Sequence, residues 1–227
     1  MFITFEGIEG SSKTTQAGLL SEWLNKEGIE HLLTKEPGTV VSTECKKIRN
    51  LLLDPENDLS SRAELFLYLA DRAQHVNKVV LPALFEENKW VISDRFSLST
   101  FAYQGYGRGH LSLGQNNWFE EALDVACYKL IPNITFVMDL PVEIGLARAK
   151  GSNTEFKGGD RMEREAIEFH QKLRDGFLNL AKQRKECVIL NAEKTIEELH
   201  EDVKQVLRQY IDEHKITVTD DQGSWYI

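Results

Sequence analysis

The residues best suited to chemistry stand near the amino terminus. Gly7-Ile8-Glu9-Gly10-Ser11-Ser12-Lys13-Thr14 follows a short apolar run, Phe2 to Phe5, and opens a helical pattern. A glycine-rich turn between a strand and a helix, closed by Lys-Thr, is the setting of a phosphate-binding loop. Main-chain N–H groups there wrap an anion at a helix start, where the helix dipole adds attraction. Gly7, Ile8, Glu9, Gly10, Ser11, Ser12, Lys13, Thr14 and Thr15 are accordingly assigned to ATP. Lys13 reaches for the β- and γ-phosphates, and the Thr14 hydroxyl takes a place on Mg²⁺. The pattern departs from G-x-x-x-x-G-K-[ST] at one position, Ser12, where glycine is usual. If the backbone there needs a positive φ, a residue with a Cβ costs about 1–2 kcal/mol. If Ser12 is already helical, its hydroxyl is harmless or donates a hydrogen bond.

A second reactive pair closes Trp90-Val91-Ile92-Ser93-Asp94-Arg95. Parallel strands present their carboxyl ends to the ligand crevice, on the same side as the loop after the first strand. Asp94 then holds Mg²⁺ through water, and Arg95 bridges the phosphates that exchange a phosphoryl group. The plainer alternative is a surface ion pair at a strand end.

These groups need a frame, and the chain supplies one. Its 227 residues, 41% hydrophobic and 28% charged, are enough to bury one substantial core. A net charge of -9 disfavours broad binding to nucleic acid or an anionic membrane, though not capture of a small anion by clustered Arg and Lys. Cys45, Cys127 and Cys187 form no CxxC pair, which suits a reducing compartment. With no long apolar span or charged leader, a cytoplasmic location is expected.

Strands are predicted at Phe2–Glu6, His31–Thr34, Trp90–Ser93, Ile134–Asp139 and Val188–Leu190. Helices are predicted near 13–26, 43–53, 62–81, 112–129, 143–150 and 162–183, with a last amphipathic helix from Ile196. Ser61 with Glu64, and Thr195 with Glu198, have capping-box spacing. Gly105-Tyr106-Gly107-Arg108-Gly109 lacks the setting of a dinucleotide fingerprint and is read as a loop. Alternating strands and helices imply an α/β fold, its parallel sheet covered on both faces. A single domain over 1–215, then a flexible tail at 216–227 ending near Trp225-Tyr226, is the expected organisation.

Asp94-Arg95-Phe96-Ser97-Leu98-Ser99-Thr100-Phe101-Ala102-Tyr103-Gln104-Gly105 resembles the DRxxxSSxAYQG signature of bacterial thymidylate kinases. Leu51–Asn57, Tyr68–His75, Glu36-Pro37-Gly38 and Phe5–Gly10 look like further segments of that family, in its order. The resemblance spans about residues 1–211. It implies a P-loop nucleoside monophosphate kinase fold, with a five-stranded parallel sheet, a mobile lid and a homodimer, and transfer of the ATP γ-phosphoryl group to dTMP. Carried over by position, Tyr68 stacks on the thymine, and Arg72, Thr100 and Gln104 meet the base and its polar groups. Tyr103 crowds the sugar, Glu9 meets the 3′-hydroxyl, and Arg49 binds the acceptor's phosphate. Glu36, Arg95 and Ser99 complete the substrate set; Lys13, Asp94, Arg95 and Arg161 form the catalytic set; Thr14 and Asp94 serve the metal.

The expected lid, residues 151–161, ends in Asp160-Arg161 and resembles the family's DRxE segment. Because the phosphate loop contains no arginine, Arg161 is the first choice for catalytic charge, ahead of Lys157, Arg148 and Arg164. Two departures stand out besides Ser12: the Lys35-Glu36-Pro37-Gly38-Thr39 wording, and a longer path from Glu36 to Arg49. A kinase for dUMP or a modified pyrimidine monophosphate is one alternative. A nucleotide-binding regulator that lost turnover through Ser12 is another.

Overall fold

The computed structural model describes residues 1–112, 117–152 and 159–214. Five parallel strands, β1 (Phe2–Glu6), β2 (His31–Lys35), β3 (Trp90–Asp94), β4 (Ile134–Asp139) and β5 (Cys187–Asn191), lie in the order β2-β3-β1-β4-β5. Each agrees with its predicted strand to within a residue at either end. Every residue of β1 is buried, and so is all of β4 but its last, as expected for strands covered on both faces. Edge strands β2 and β5 are only partly buried, each with one buried residue, Thr34 and Leu190.

The order places β1 between β3 and β4, and register does the rest. Phe5 pairs with Asp94, so the chain leaves β1 and β3 side by side at their carboxyl ends. Arg95 N–H donates to the Phe5 carbonyl at 2.9 Å, and Glu36 N–H to the Asp94 carbonyl at 3.0 Å. Three strand ends are thereby stitched together where a ligand crevice belongs.

Helix α1 (Lys13–Lys26) buries Lys13, Gln16, Ala17, Leu20 and Leu24, a single face at helical spacing. Helix α8 (Ile196–His214) packs on it through Leu199, Val203, Leu207 and Ile211. The Thr195–Glu198 capping box forms in both directions, at 3.0 and 3.2 Å. The remaining helices are α2 (Thr43–Leu53), α3 (Ser61–His75), the short α4 (Ser97–Thr100), α5 (Trp118–Ala126), α6 (Val142–Ser152) and α7 (Ile167–Ala181).

Several predicted features change. Ser60, not Ser61, caps α3, accepting from Ala63 N–H, and Glu64 turns into the protein instead of back to the cap. The helix predicted over 62–81 ends as regular α-helix at His75. It continues as wide turns at Val76–Val80 and Pro82–Glu86, because Pro82 offers no N–H and crowds the preceding turn. Gly105–Gly107 is no loop: Phe101–Gly107 is a π-helical stretch with Arg108 N–H reaching the Tyr103 carbonyl at 2.9 Å. The helix predicted over 112–129 is shorter, since Tyr128 and Lys129 take positive φ values of 53° and 55°. Gly151 and Ser152 extend α6 rather than beginning a loop, and α7 starts at Ile167. Lys157, Gly158 and the predicted tail at 216–227 lie outside the described residues.

Candidate active site

The loop after β1 is shaped by backbone geometry. Gly10 has φ 71°, and a Cβ there would stand 2.1 Å from the Gly145 carbonyl of α6, so the loop rests on that helix and admits only glycine. Ser12 also takes a left-handed backbone, φ 67° and ψ 15°, with no side-chain cap bond. The choice left open by sequence is thus decided in favour of strain. Replacing Ser12 with glycine is expected to raise stability by about 0.5–1 kcal/mol, the backbone relief less the entropy glycine adds to the unfolded chain. Turnover should hold or improve. Urea midpoints and steady-state rates check this, and a less stable variant would show that the serine hydroxyl outweighs the strain.

Lys13 is buried at the first turn of α1, its ammonium donating to the Ile8 carbonyl at 2.5 Å and to Ser11 Oγ at 3.2 Å. Burial, then the Arg95 guanidinium, push it down to about 8. The Thr14 hydroxyl donates to Asp94 Oδ2, so the two predicted metal-site residues meet directly. Arg95, itself at φ 74°, donates to the Gly7 carbonyl at 2.9 Å, Ser99 Oγ at 3.0 Å, Tyr103 Oη at 3.0 Å and Glu9 Oε1 at 3.2 Å. Glu9 also accepts from the Tyr103 hydroxyl. Burial alone would raise the Glu9 carboxyl, but His170, Arg95 and Lys13 outweigh it and hold the group well below the usual range.

Glu6, fully buried at the end of β1, accepts from Phe96 N–H at 2.8 Å, Ser99 N–H at 3.1 Å and Ser99 Oγ at 2.5 Å. It thereby fixes the turn that follows Arg95. Burial raises its carboxyl to about 7, against the opposing pull of Ser99 and Arg95.

The other wall comes from α3. Arg72 is buried and donates to Glu36 Oε2 at 2.8 Å, to the Phe96 carbonyl at 2.8 Å and to Thr100 Oγ1. His75 Nδ1 lies 2.7 Å from the other Glu36 oxygen. Asp71 accepts from Gly38 N–H at 3.1 Å, and burial followed by Glu36 raises it to about 6. Gly38, at φ 82°, lets the Arg49 side chain pass where a Cβ would come within 2.4 Å of it. This close approach brings Arg49 to the site despite the longer path from Glu36.

A cavity of about 270 Å³ gathers these groups. Glu9, Gly10, Lys13, Thr14, Glu36, Arg49, Tyr68, Arg72, Asp94, Arg95, Ser99, Thr100, Tyr103 and Gln104 all border it, as do Asp71 and Asp160. Gly7, Ile8, Ser11 and Ser12 of the loop, and Thr15 just after it, do not border that cavity.

Arg161 is not brought to the phosphate end. Its guanidinium pairs with Glu64 at 2.6 Å and donates to the Leu52 carbonyl at 2.8 Å, and it borders a separate polar hollow with Asn57, Asp58 and Arg108. Arg148 donates to the Ala192 carbonyl at 3.1 Å, and Arg164 to the Gly159 carbonyl at 3.0 Å. Glu6, Glu64, Asp71 and His75 were not singled out by sequence for the site. A signal did exist for α3: Glu64, Tyr68 and Arg72 recur every four residues, and Asp71 and His75 likewise, as polar groups on an inward face.

The chain matches the family model described as thymidylate kinase over residues 5–203. It is 46% identical over 207 residues to a thymidylate kinase of Carboxydothermus hydrogenoformans, covering 91% of this chain and 96% of that protein. It is 45% identical over 204 residues to one from Halothermothrix orenii, covering 89% and 94%. A crystal structure of thymidylate kinase from Ehrlichia chaffeensis superimposes with a TM-score of 0.70 at 34% identity, covering 92% of this chain and 98% of that one.

Proposed function

The chain belongs to the thymidylate kinase family, and from that premise we propose which of its residues carry the reaction. The protein is a phosphotransferase that moves the γ-phosphoryl group of ATP to dTMP, giving ADP and dTDP. One observation supports this assignment above the others. The phosphate loop, the Asp94–Arg95 pair and the slot bounded by Tyr68, Arg72 and Gln104 face one cavity at the carboxyl ends of adjoining parallel strands.

In this reading the triphosphate lies along the loop amides, Gly7 to Thr15, with Lys13 against its β- and γ-phosphates. A phosphate oxygen of dTMP attacks the γ-phosphorus in line, the bond to the bridging oxygen breaks, and ADP leaves with that electron pair. The protein's task is to hold both phosphates together and to offset the charge spread over the group in flight. Lys13 and Arg95, which border the same cavity, do so together, and Arg49 holds the acceptor's phosphate. Glu9 and Tyr103 take the sugar; Tyr68, Arg72, Thr100 and Gln104 take the base, with Glu36 and Ser99 holding Arg72 and Arg95 in place. The paired oxygens of Thr14 and Asp94 fit Mg²⁺, which favours hard oxygen donors and keeps several waters. Thr14 and Asp94 would hold the ion, which would supply positive charge to offset the negative charge of the phosphates. Arg161, tied to Glu64, is assigned to holding the lid segment at the base end. Its catalytic role would require that pair to open.

A single domain over 1–215 and a cytoplasmic site of action complete the reading, with no nucleic-acid or membrane partner; among the described residues no helix is long and apolar enough to cross a membrane. A homodimer is proposed from the family likeness, supported by exposed Phe66 on α3 and exposed Val125 on α5, helices that pack on one another.

An ADP-release assay across dTMP, dUMP, dCMP and dGMP tests the assignment. Turnover with dTMP is expected on the order of 1–100 per second, as for other kinases. Tight dTMP binding without ADP release would reject the kinase in favour of a regulator.

A further inference from the structure

Glu64 sits at 0% exposure under the base end of the cavity and receives more donors than any capping role would explain. Its Oε1 accepts Gln104 Nε2 at 3.0 Å and Arg108 Nε at 3.1 Å. Its Oε2 accepts Arg108 NH2 at 3.0 Å and pairs with Arg161 NH1 at 2.6 Å. Burial would raise this carboxyl, but hydrogen bonds from Arg108 and Gln104 and the nearby guanidinium charges outweigh it and lower it. The group is therefore a carboxylate, which accepts and never donates.

That fact fixes a choice usually open to a carboxamide. Facing a carboxylate, Gln104 has to present its NH₂ end, because the opposite orientation would set oxygen against oxygen. The carbonyl end of the amide, which accepts no hydrogen bond among the described residues, is what remains for a ligand in the cavity that Gln104 borders. Thymine and uracil carry N3–H, a donor that this oxygen accepts. Cytosine has a bare lone pair at N3, which the oxygen repels. We propose that Glu64 is a specificity-determining positioning residue: it sets the orientation of the Gln104 amide and so makes the pocket choose pyrimidines that carry a proton on N3. The 5-methyl group plays no part in this device, so it does not separate dTMP from dUMP. The inference rests on the assignment of this cavity to the base of a nucleoside monophosphate.

The test compares the wild type with Glu64→Gln, Gln104→Ala, the double variant and Arg161→Met. For each, the KM of dTMP and the competitive inhibition constant of dCMP are measured with saturating ATP, alongside the KM of ATP. A carboxamide at position 64 can donate or accept, so it leaves the Gln104 amide free to turn. Glu64→Gln should compress the dCMP-to-dTMP ratio about tenfold, the size of one hydrogen bond gained or lost, with the KM of ATP unchanged. In the Gln104→Ala background the same substitution should move the ratio less than twofold. Arg161→Met, which spares the carboxylate and the amide, should leave the ratio at the wild-type value.

A ratio unmoved by Glu64→Gln, an equal shift in both backgrounds, or a tenfold shift in Arg161→Met would each overturn the proposal. If Glu64→Gln does not fold, the wild type still decides. Side-chain NH₂ resonances of Gln104, assigned against Gln104→Ala, should exchange slowly in the dTMP complex, and fast exchange would refute a fixed amide. A wild type that turns over dTMP while failing these tests loses only this inference. One that cannot turn over dTMP loses the functional assignment.

Discussion

Lys13→Ala is expected to lower kcat for dTMP phosphorylation by about 10³-fold while leaving the fold as stable as before. The rate side follows from where charge is needed. The loop from Gly7 to Thr14 contains no other cation, and Arg161 is engaged by Glu64, so Lys13 is the one cation that the phosphate loop itself brings to the cavity, with Arg95 and Arg49 bordering it from other elements. Removing one pre-placed donor from such a site typically costs about 10²–10³ in kcat, and a full ammonium belongs at the upper end. The stability side follows from burial. Because the protein pushes Lys13 down to about 8, it disfavours the charged form, and deleting the ammonium relieves that desolvation. Rates from ADP release and thermal melts of the same preparation make the comparison. A kcat within tenfold of wild type would remove Lys13 from the chemistry, and a large drop in melting temperature would recast it as a structural residue.

The frame around Lys13 was legible because it is written locally. β1 and β4 are short runs dominated by aromatic and branched apolar residues, α1 and α8 repeat their apolar residues at the helical period, and Thr195 meets Glu198 three residues on. What escaped the sequence is set by partners remote along the chain. Glu64 has the spacing of a capping residue, yet Arg108 and Arg161 draw it inward, and two buried ion pairs outweigh one cap bond. Arg161 stands in a lid motif, but its destination depends on that carboxylate and on the Leu52 carbonyl, neither of which a local pattern names. The π-helical stretch at Phe101–Gly107 is hidden for a related reason: its geometry answers to packing against α7 rather than to the propensities of Gly105 and Gly107. Ser12 is the opposite case, a single residue whose departure from glycine was visible at once and whose consequence needed only the backbone angle.

Arg72→Ala should cost about 3–5 kcal/mol of stability, the range found when one member of a buried ion pair is removed. The guanidinium is 3% exposed and stacks 5.4 Å from the Phe96 ring while bonding Glu36, Thr100 and the Phe96 carbonyl. Deleting it leaves the Glu36 carboxylate facing His75 alone. For a chain of this length each kcal/mol shifts the melting temperature by about 2–4 °C, so a fall of about 10–15 °C is expected. Arg72→Lys should recover little, because an ammonium cannot reproduce the planar fork that engages Glu36 and Thr100 together. The pH dependence separates this mechanism from a simple packing loss. In the wild type, burial would raise the Glu36 carboxyl, but Arg72 and then His75 outweigh it and hold the group below the usual carboxylate range. A lowered folded-state value contributes stability above the unfolded value, and that contribution fades as pH falls through the folded one. In the variant, burial prevails and the value rises, so the penalty present at neutral pH disappears as Glu36 takes up a proton. Urea titrations at neutral pH and in mild acid should therefore show the gap between wild type and Arg72→Ala narrowing toward acid. A gap that stays constant with pH would mean that the loss is one of packing against Phe96, not of charge.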